Sequence, residues 1–182
     1  ESQLKDEELI NSIKSIKRQI FLIQNLVNEF STYARLPKAN ITKLNLSEIC
    51  LVYIEEYKRN YDKIEIIHNI EENLYVNFDH SYLDIIFNNL FKNSIEALIS
   101  TNNPAIDITL KKIDKKLILT FFDNGPGYDG DIDNLIKPYF STKNSSGLGL
   151  SLINKIITDN SYKMNITTNS YSGFKIEIIF YD

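Results

Sequence analysis

The sequence predicts an α+β chain, a two-layer α/β sandwich preceded by one long helix. Three observations carry this reading. Residues 1–37 place apolar side chains at alternating steps of four and three. From residue 40 onward, helix-period and strand-period segments alternate in an order that yields a mostly antiparallel sheet with helices on one face. A length of 182 residues, 43% hydrophobic and 24% charged, suits one ordinary globular core plus a small addition.

The leading segment carries Leu9, Ile13, Ile16, Ile20, Ile23, Val27, Phe30 and Ala34 as a heptad seam. Pro37 ends it. A second partial stripe at Ile10, Leu22 and Leu26 gives more apolar surface than a two-stranded coil needs, so a helical bundle is expected. The alternative is an N-terminal helix packed on its own domain. Asn45-Leu46-Ser47-Glu48 reads as an N-cap with Glu at the third helical position, opening a helix to about Tyr61. Strands are expected at 63–70 and 74–78. A helix then runs from Asp79 to about Ser100, with Leu83, Ile86, Phe87, Leu90, Ala97 and Leu98 facing the core. Residues 106–111 and 116–122 alternate as strands around a hairpin turn at 111–115. A turn-rich loop over 123–146 precedes a helix from about Gly147 to Thr158. Strands at 163–168 and 174–181 close the chain.

Composition excludes several classes of function. The net charge is -4 and the basic residues are interleaved with acidic ones, which argues against a nucleic-acid surface. A polyanion would need a local pocket. The lone Cys50 and the absence of zinc-like Cys/His spacing suggest a reducing compartment, with the cytoplasm as the default. Apolar runs such as Ile20-Phe21-Leu22-Ile23 are too short to span a bilayer, so no membrane contact is expected within this chain. It begins at Glu1 with no initiator methionine and its one Met is Met164, which suggests a piece of a longer protein. Any anchor of the parent in an inner membrane would lie outside this chain.

Glycine placement marks the chemistry. Five of the six glycines, Gly125, Gly127, Gly130, Gly147 and Gly149, fall in one window of 25 residues, where backbone must approach something closely. The window opens with Asp123-Asn124-Gly125-Pro126-Gly127 at the end of an apolar strand. An ionised Asp is an acceptor only, suited to an exocyclic amine such as that of adenine; the same peptide is also an ordinary turn signal. The window closes with Ser145-Ser146-Gly147-Leu148-Gly149-Leu150 at a helix start, where free N–H groups and the positive dipole end can hold phosphates. Between them, Lys137-Pro138-Tyr139-Phe140-Ser141-Thr142-Lys143 forms a loop that could close over a nucleotide, or a solvated loop with a partly buried Phe. On the preceding helix, Asn89, Asn93 and Glu96, with Lys92 beside them, share one polar face opposite the core. An amide oxygen there is a reasonable ligand for magnesium; a plain solvent-exposed face is the alternative.

Together, Asn89-Leu90-Phe91-Lys92-Asn93-Ser94-Ile95-Glu96-Ala97, Asp123-Asn124-Gly125-Pro126-Gly127, Lys137-Pro138-Tyr139-Phe140-Ser141-Thr142-Lys143 and Gly147-Leu148-Gly149-Leu150 resemble, in order and spacing, the N, G1, F and G2 boxes of histidine kinases in the GHKL ATPase superfamily. The resemblance covers roughly residues 40–182. The leading helix, ending in Glu29-Phe30-Ser31-Thr32-Tyr33-Ala34-Arg35-Leu36-Pro37, is similar to the second dimerisation helix of the NtrY-like, nitrogen-regulation branch. The implied organisation is residues 1–37 as one helix of a dimerisation and phosphoacceptor bundle, and residues 38–182 as an ATP-binding catalytic domain of the GHKL fold.

The resemblance further implies ATP and Mg²⁺ as cofactors. Asn93 would coordinate the metal, Asp123 would recognise the adenine amine, and Gly125 and Gly127 would give the nucleotide room. Lys143 and the backbone near Gly147, Leu148, Gly149 and Leu150 would contact phosphates, with Lys92, Phe140 and Thr142 contributing from the N and F boxes. Asn89 stands where hydrolytic members of the superfamily carry a glutamate; an amide cannot act as a base, so transfer to a side chain is favoured over hydrolysis. Ser172 matches a family Thr that holds water near the adenine. Ser145-Ser146 departs from the family, which often has a further Gly there. The largest departure is the acceptor: His68 and His80 are the only histidines, and neither lies in the family's acceptor motif. The expected parent is therefore a homodimeric sensor histidine kinase that phosphorylates a histidine outside this chain and then an aspartate on a response-regulator receiver domain. Rival readings are an ATP-hydrolysing GHKL enzyme and a non-catalytic bundle adaptor with a vestigial nucleotide pocket.

Overall fold

A computed structural model describes residues 2–141, 146–168 and 173–181. The chain divides into two compact units, Glu1–Lys38 and Ala39–Asp182. The first is a single helix, α1 (Ser2–Ala34). Its seam is open to solvent: Leu9, Ile13, Ile16, Ile20, Ile23, Val27 and Phe30 are each exposed by 45–60%.

The second unit holds β1 (Thr42–Asn45), α2 (Leu46–Asn60), β2 (Glu65–Ile70), β3 (Tyr75–Phe78), α3 (His80–Leu98), β4 (Ala105–Ile113), β5 (Lys116–Asp123), α4 (Ile132–Leu135), α5 (Gly149–Asp159), β6 (Lys163–Thr168) and β7 (Phe174–Tyr181). Five strands form one sheet in the order β2-β4-β5-β7-β6, and β1 pairs with β3 in a separate two-stranded sheet. All pairings are antiparallel except β2 with β4.

Local signals account for most boundaries. Asn45 caps α2, its side chain accepting from the Glu48 N–H as the sequence anticipates. The buried Ser47 hydroxyl donates to the Glu71 carbonyl at 2.6 Å and accepts from the Leu74 N–H at 3.0 Å, pinning the turn between β2 and β3 to the start of α2. Three features of the strands and loops extend the sequence reading. β4 runs on to Ile113, so the hairpin turn narrows to Asp114, which has φ 54°, and Lys115. The short β1 is a strand because β3 pairs with it, with Leu44 opposite Val76. α4 forms inside the expected loop, capped by the Asp131 side chain on the Asp133 N–H.

The core lies between the sheet and its helices. Strict alternation along β5 buries Leu117, Leu119 and Phe121 on one face. From α3, the fully buried Leu83, Ile86, Phe87, Leu90 and Phe91 meet that face. Phe91 lies edge-on to Phe121 at 4.9 Å between centroids and stacks on Tyr57 of α2 at 3.9 Å, so one ring touches both neighbouring elements. The buried Cys50 thiol is pushed up to about 12 by desolvation and is inert as a nucleophile.

Asp79 opens α3. Its carboxylate accepts from the Ser81 N–H at 2.7 Å, from the Ser81 hydroxyl at 2.6 Å and from the Asn40 N–H, tying the first residues of this unit to the helix start. Burial alone would raise its pKa, but hydrogen bonds from Ser81, Asn40 and Tyr82 outweigh that and hold it below the ordinary 3.8. A depressed folded pKa gives stability that is present above the unfolded value and lost as pH falls through the folded one. Asp79→Ala should therefore cost about 1–2 kcal/mol at neutral pH, and the gap from wild type should shrink once pH drops below 3.8. Urea denaturation across that range checks both points; a pH-independent gap would mean the carboxylate charge is not what matters.

Candidate functional site

The alternation that buries the apolar row of β5 continues to its last residue, so Asp123 points inward behind Phe121 and is only 3% exposed. A buried carboxylate needs donors. It has one from each layer: the Ser94 hydroxyl of α3 donates to Oδ2 at 2.9 Å, and the Gly125 N–H donates to Oδ1 at 3.0 Å. Gly125 is itself buried against α3, where an added Cβ would lie 3.2 Å from the Ala97 methyl and 2.8 Å from Asp123 Oδ1. Asn124 has a scaffolding role, its Oδ1 accepting from the Ala105 N–H at 2.8 Å and its Nδ2 donating to the Asn103 carbonyl at 2.9 Å.

On its neighbouring flank, α3 presents Asn89 and Asn93, one helical turn apart, to the start of α5. A Cβ on Gly149 would lie 2.8 Å from Asn89 Oδ1 and 3.6 Å from Asn93 Oδ1, so a glycine is what allows this approach. The Asn89 amide nitrogen turns back to the Ile85 carbonyl at 2.7 Å. The Asn93 amide nitrogen is buried and finds no hydrogen-bond partner among the described residues. An unmet buried donor costs about 1–3 kcal/mol, which a ligand oxygen would recover. Rotating the amide by half a turn would offer its oxygen to a hard cation instead. Asn89, Asn93 and Glu96 are thus half-buried, whereas the sequence pattern places their face opposite the core; Lys92 alone of the set is exposed.

At the start of α5, Leu148 is the N-cap and its side chain makes no capping hydrogen bond, so the first turn lacks the usual side-chain acceptor. Gly147 has φ 68°, and an added Cβ would lie 2.5 Å from the Phe140 carbonyl oxygen, which brings the two ends of the expected lid together. Phe140 also meets Tyr128 edge-on at 6.2 Å, linking the lid to the segment after Gly127, another positive-φ glycine. Tyr128 is anchored in turn: its N–H donates to the Thr168 hydroxyl at 2.8 Å, and that hydroxyl donates to the Gly173 carbonyl at 3.0 Å. The start of α5 lies at Gly149, two residues later than the sequence suggests, with Leu150 in its first turn.

Of the residues singled out from sequence, Asn89, Asn93 and Gly149 come together, Asp123 and Gly125 come together beside Ser94, and Phe140 meets Gly147. Thr142, Lys143 and Ser172 lie outside the described residues, as does Ser145. Ser94 and Thr168 escape a sequence reading. Ser94 left one trace: it is a small polar residue midway between Leu90 and Leu98 on the buried stripe, at i+4 from one and i−4 from the other. Thr168 left none, because the N–H it accepts from belongs to Tyr128, forty residues earlier.

Comparison with known proteins adds a second line of observation. Residues 78–181 match the family of histidine kinase-, DNA gyrase B- and HSP90-like ATPases. A putative sensor histidine kinase NtrY-like protein of Rickettsia bellii is 28% identical over 178 residues, which is 95% of this chain and 29% of that protein. The nitrogen regulation protein NtrY of Azorhizobium caulinodans is 26% identical over 152 residues, 80% of this chain and 20% of the relative. The chain therefore spans less than a third of either. Among solved structures, the nucleotide-free catalytic domain of histidine kinase ThkA matches with a TM-score of 0.70 at 26% identity, covering 78% of this chain and 97% of that one. ThkA in complex with response regulator protein TrrA matches with a TM-score of 0.77 at 24% identity, covering 93% of this chain and 50% of that one.

The geometry around the lid makes a contrast between two glycines. Gly147→Ala puts a side chain in a positive-φ position against the backbone of Tyr139 and Phe140 and should destabilise the protein by about 2 kcal/mol or more. Gly130→Ala, at an exposed position without a positive φ, meets side-chain rather than backbone atoms, those of the Tyr128 ring, which can yield by turning, and should cost clearly less, about 1 kcal/mol or under. Urea denaturation of the two variants checks this; equal losses would show that the close approach at Phe140 does not constrain the loop.

Proposed function

Because the chain belongs to the histidine kinase-, DNA gyrase B- and HSP90-like ATPase family, we propose that its second unit binds Mg-ATP as the catalytic portion of a two-component sensor histidine kinase. The observation that carries this reading is a single helix, α3, which sets the unpartnered amide of Asn93 against the start of α5 and places Ser94 on the carboxylate of Asp123. One end of that cleft suits an adenine amine and the other suits phosphates.

Each residue then has a task. Asp123 accepts from the exocyclic amine of adenine, held in place by Gly125 and the helix layer. At the start of α5, Gly147, Gly149 and Leu150 would offer N–H groups and the positive dipole end to phosphate oxygens, and Leu148 would join them by exchanging the Ser146 hydroxyl, 3.3 Å from its N–H, for phosphate. Asn93 is the residue that would hold Mg²⁺, which when bound would offset the charge of the phosphates. Lys92, Phe140, Thr142 and Lys143 would complete the phosphate side and the lid, and Ser172 the adenine side. Asn89 has no basic group with which to activate water, and its amide nitrogen is already engaged with Ile85; this supports transfer to an acceptor side chain in preference to hydrolysis.

In the parent, the γ-phosphoryl would pass to a histidine not contained in this chain and then to an aspartate of a response-regulator receiver domain. The ThkA structure with its regulator TrrA supports a partner of that class. α1 would be one helix of a homodimeric bundle, a reading supported by its heptad seam of exposed apolar side chains. No helix among the described residues is long and apolar enough to cross a membrane. We place this portion in the cytoplasm, with any anchor of the parent elsewhere.

Calorimetric titration with ATP and Mg²⁺ should give a dissociation constant in roughly the micromolar to millimolar range. Asp123→Asn should weaken it by roughly 10-fold or more, because an amide presents a donor where the adenine amine also donates. Added acceptor-helix protein should become labelled from radioactive ATP in the presence of this chain. Folded protein that gives no heat with ATP would overturn the proposal, and steady phosphate release without labelling of any acceptor would favour the hydrolytic alternative.

A further inference from the structure

We propose that Ser94 is a positioning residue for base recognition: by holding Asp123 from the helix layer, it sets the selectivity of the cleft for a 6-aminopurine over a 6-oxopurine nucleotide. This rests on the nucleotide reading above. Ser94 interrupts the apolar stripe of α3 and is only 3% exposed, so its hydroxyl has to be bonded. A buried helical serine ordinarily satisfies itself on its own helix. Ser151 of α5 does so, donating to the Leu148 carbonyl at 2.9 Å. Ser94 donates instead across the layers, to Oδ2 of Asp123, on the oxygen not taken by the Gly125 N–H.

Two donors on two different oxygens fix a carboxylate against rotation about both of its side-chain bonds, and a carboxylate can accept roughly four hydrogen bonds in all. Its direction at the strand end is therefore set before ligand arrives. Such an acceptor favours a base with an amine at that edge and opposes one with a carbonyl oxygen there. Without the hydroxyl, Oδ2 loses its donor from α3, and the balance of hydrogen bonds shifts the carboxylate toward the Gly125 side. What is lost is orientation, so the amine-bearing base should suffer far more than its oxo counterpart. The same helix carries Asn93 one residue earlier, so the two ends of the cleft share one rigid support.

The test is calorimetric titration of wild type and Ser94→Ala with ADP and with inosine diphosphate, each with Mg²⁺. In wild type ADP should bind more tightly. In Ser94→Ala, ADP should weaken by roughly 10-fold while inosine diphosphate changes by less than about threefold, so the preference collapses. Ser94→Cys, nearly isosteric with a weak S–H donor, should give an intermediate preference and carries the test if the alanine variant does not fold. An ADP preference unchanged in the variant, whether both affinities persist or both fall together, overturns the role of Ser94 alone. Wild type that binds neither nucleotide overturns the nucleotide reading, and this inference with it.

Discussion

The rotational setting of α3 is the constraint on which the rest of the molecule depends. Phe91 is wedged between Phe121 of the sheet and Tyr57 of α2, and with Leu83, Ile86, Phe87 and Leu90 it leaves the helix one way to sit. Turning it by one residue, about 100°, would take Ser94 off Asp123 and carry Asn89 and Asn93 away from Gly149. Apolar packing thus fixes the directions of polar side chains that contribute little to the core themselves. In a close-packed interior such a helix cannot drift by small amounts, because each ring fills its neighbour's gap.

The polar side of the arrangement then follows from two periods meeting. β5 alternates every second residue, and that alternation alone brings Asp123 to the inner face. α3 repeats every 3.6 residues, and that repeat brings Ser94 beneath it and Asn93 to the flank. Between them, Gly125 and Gly149 remove side chains where two backbones or a backbone and an amide come close. The proposed cleft would thus stand on α3, β5 and the start of α5, while Tyr128 joins its neighbours through a hydrogen bond to Thr168 and a ring contact with Phe140.

Much of this was legible in the residues. The strands at Lys116–Asp123 and Phe174–Tyr181 alternate, and the glycine window announced close backbone approach. The elements that went unread are those whose state is imposed from outside. Thr42–Asn45 has too few apolar residues to signal a strand and becomes one through its partner Tyr75–Phe78. Ile132–Leu135 is one turn held by a single Asp cap. The half-burial of Asn93 could not be read from its helix because the covering element, α5, comes more than fifty residues later. Ser94 was visible only as an oddity on an apolar stripe, and its meaning needed the strand end opposite it.

The central claim is that Asn93, Ser94, Asp123 and the start of α5 form one ligand-binding cleft. Amide NMR spectra of labelled protein, titrated with Mg-ADP, test it directly. The backbone signals of Gly125 and Gly149, the Asn93 side-chain amide and Ser94 should all shift and saturate along one common binding curve. Shifts confined to residues away from these four, or separate curves for the Asp123 and α5 ends, would contradict the account.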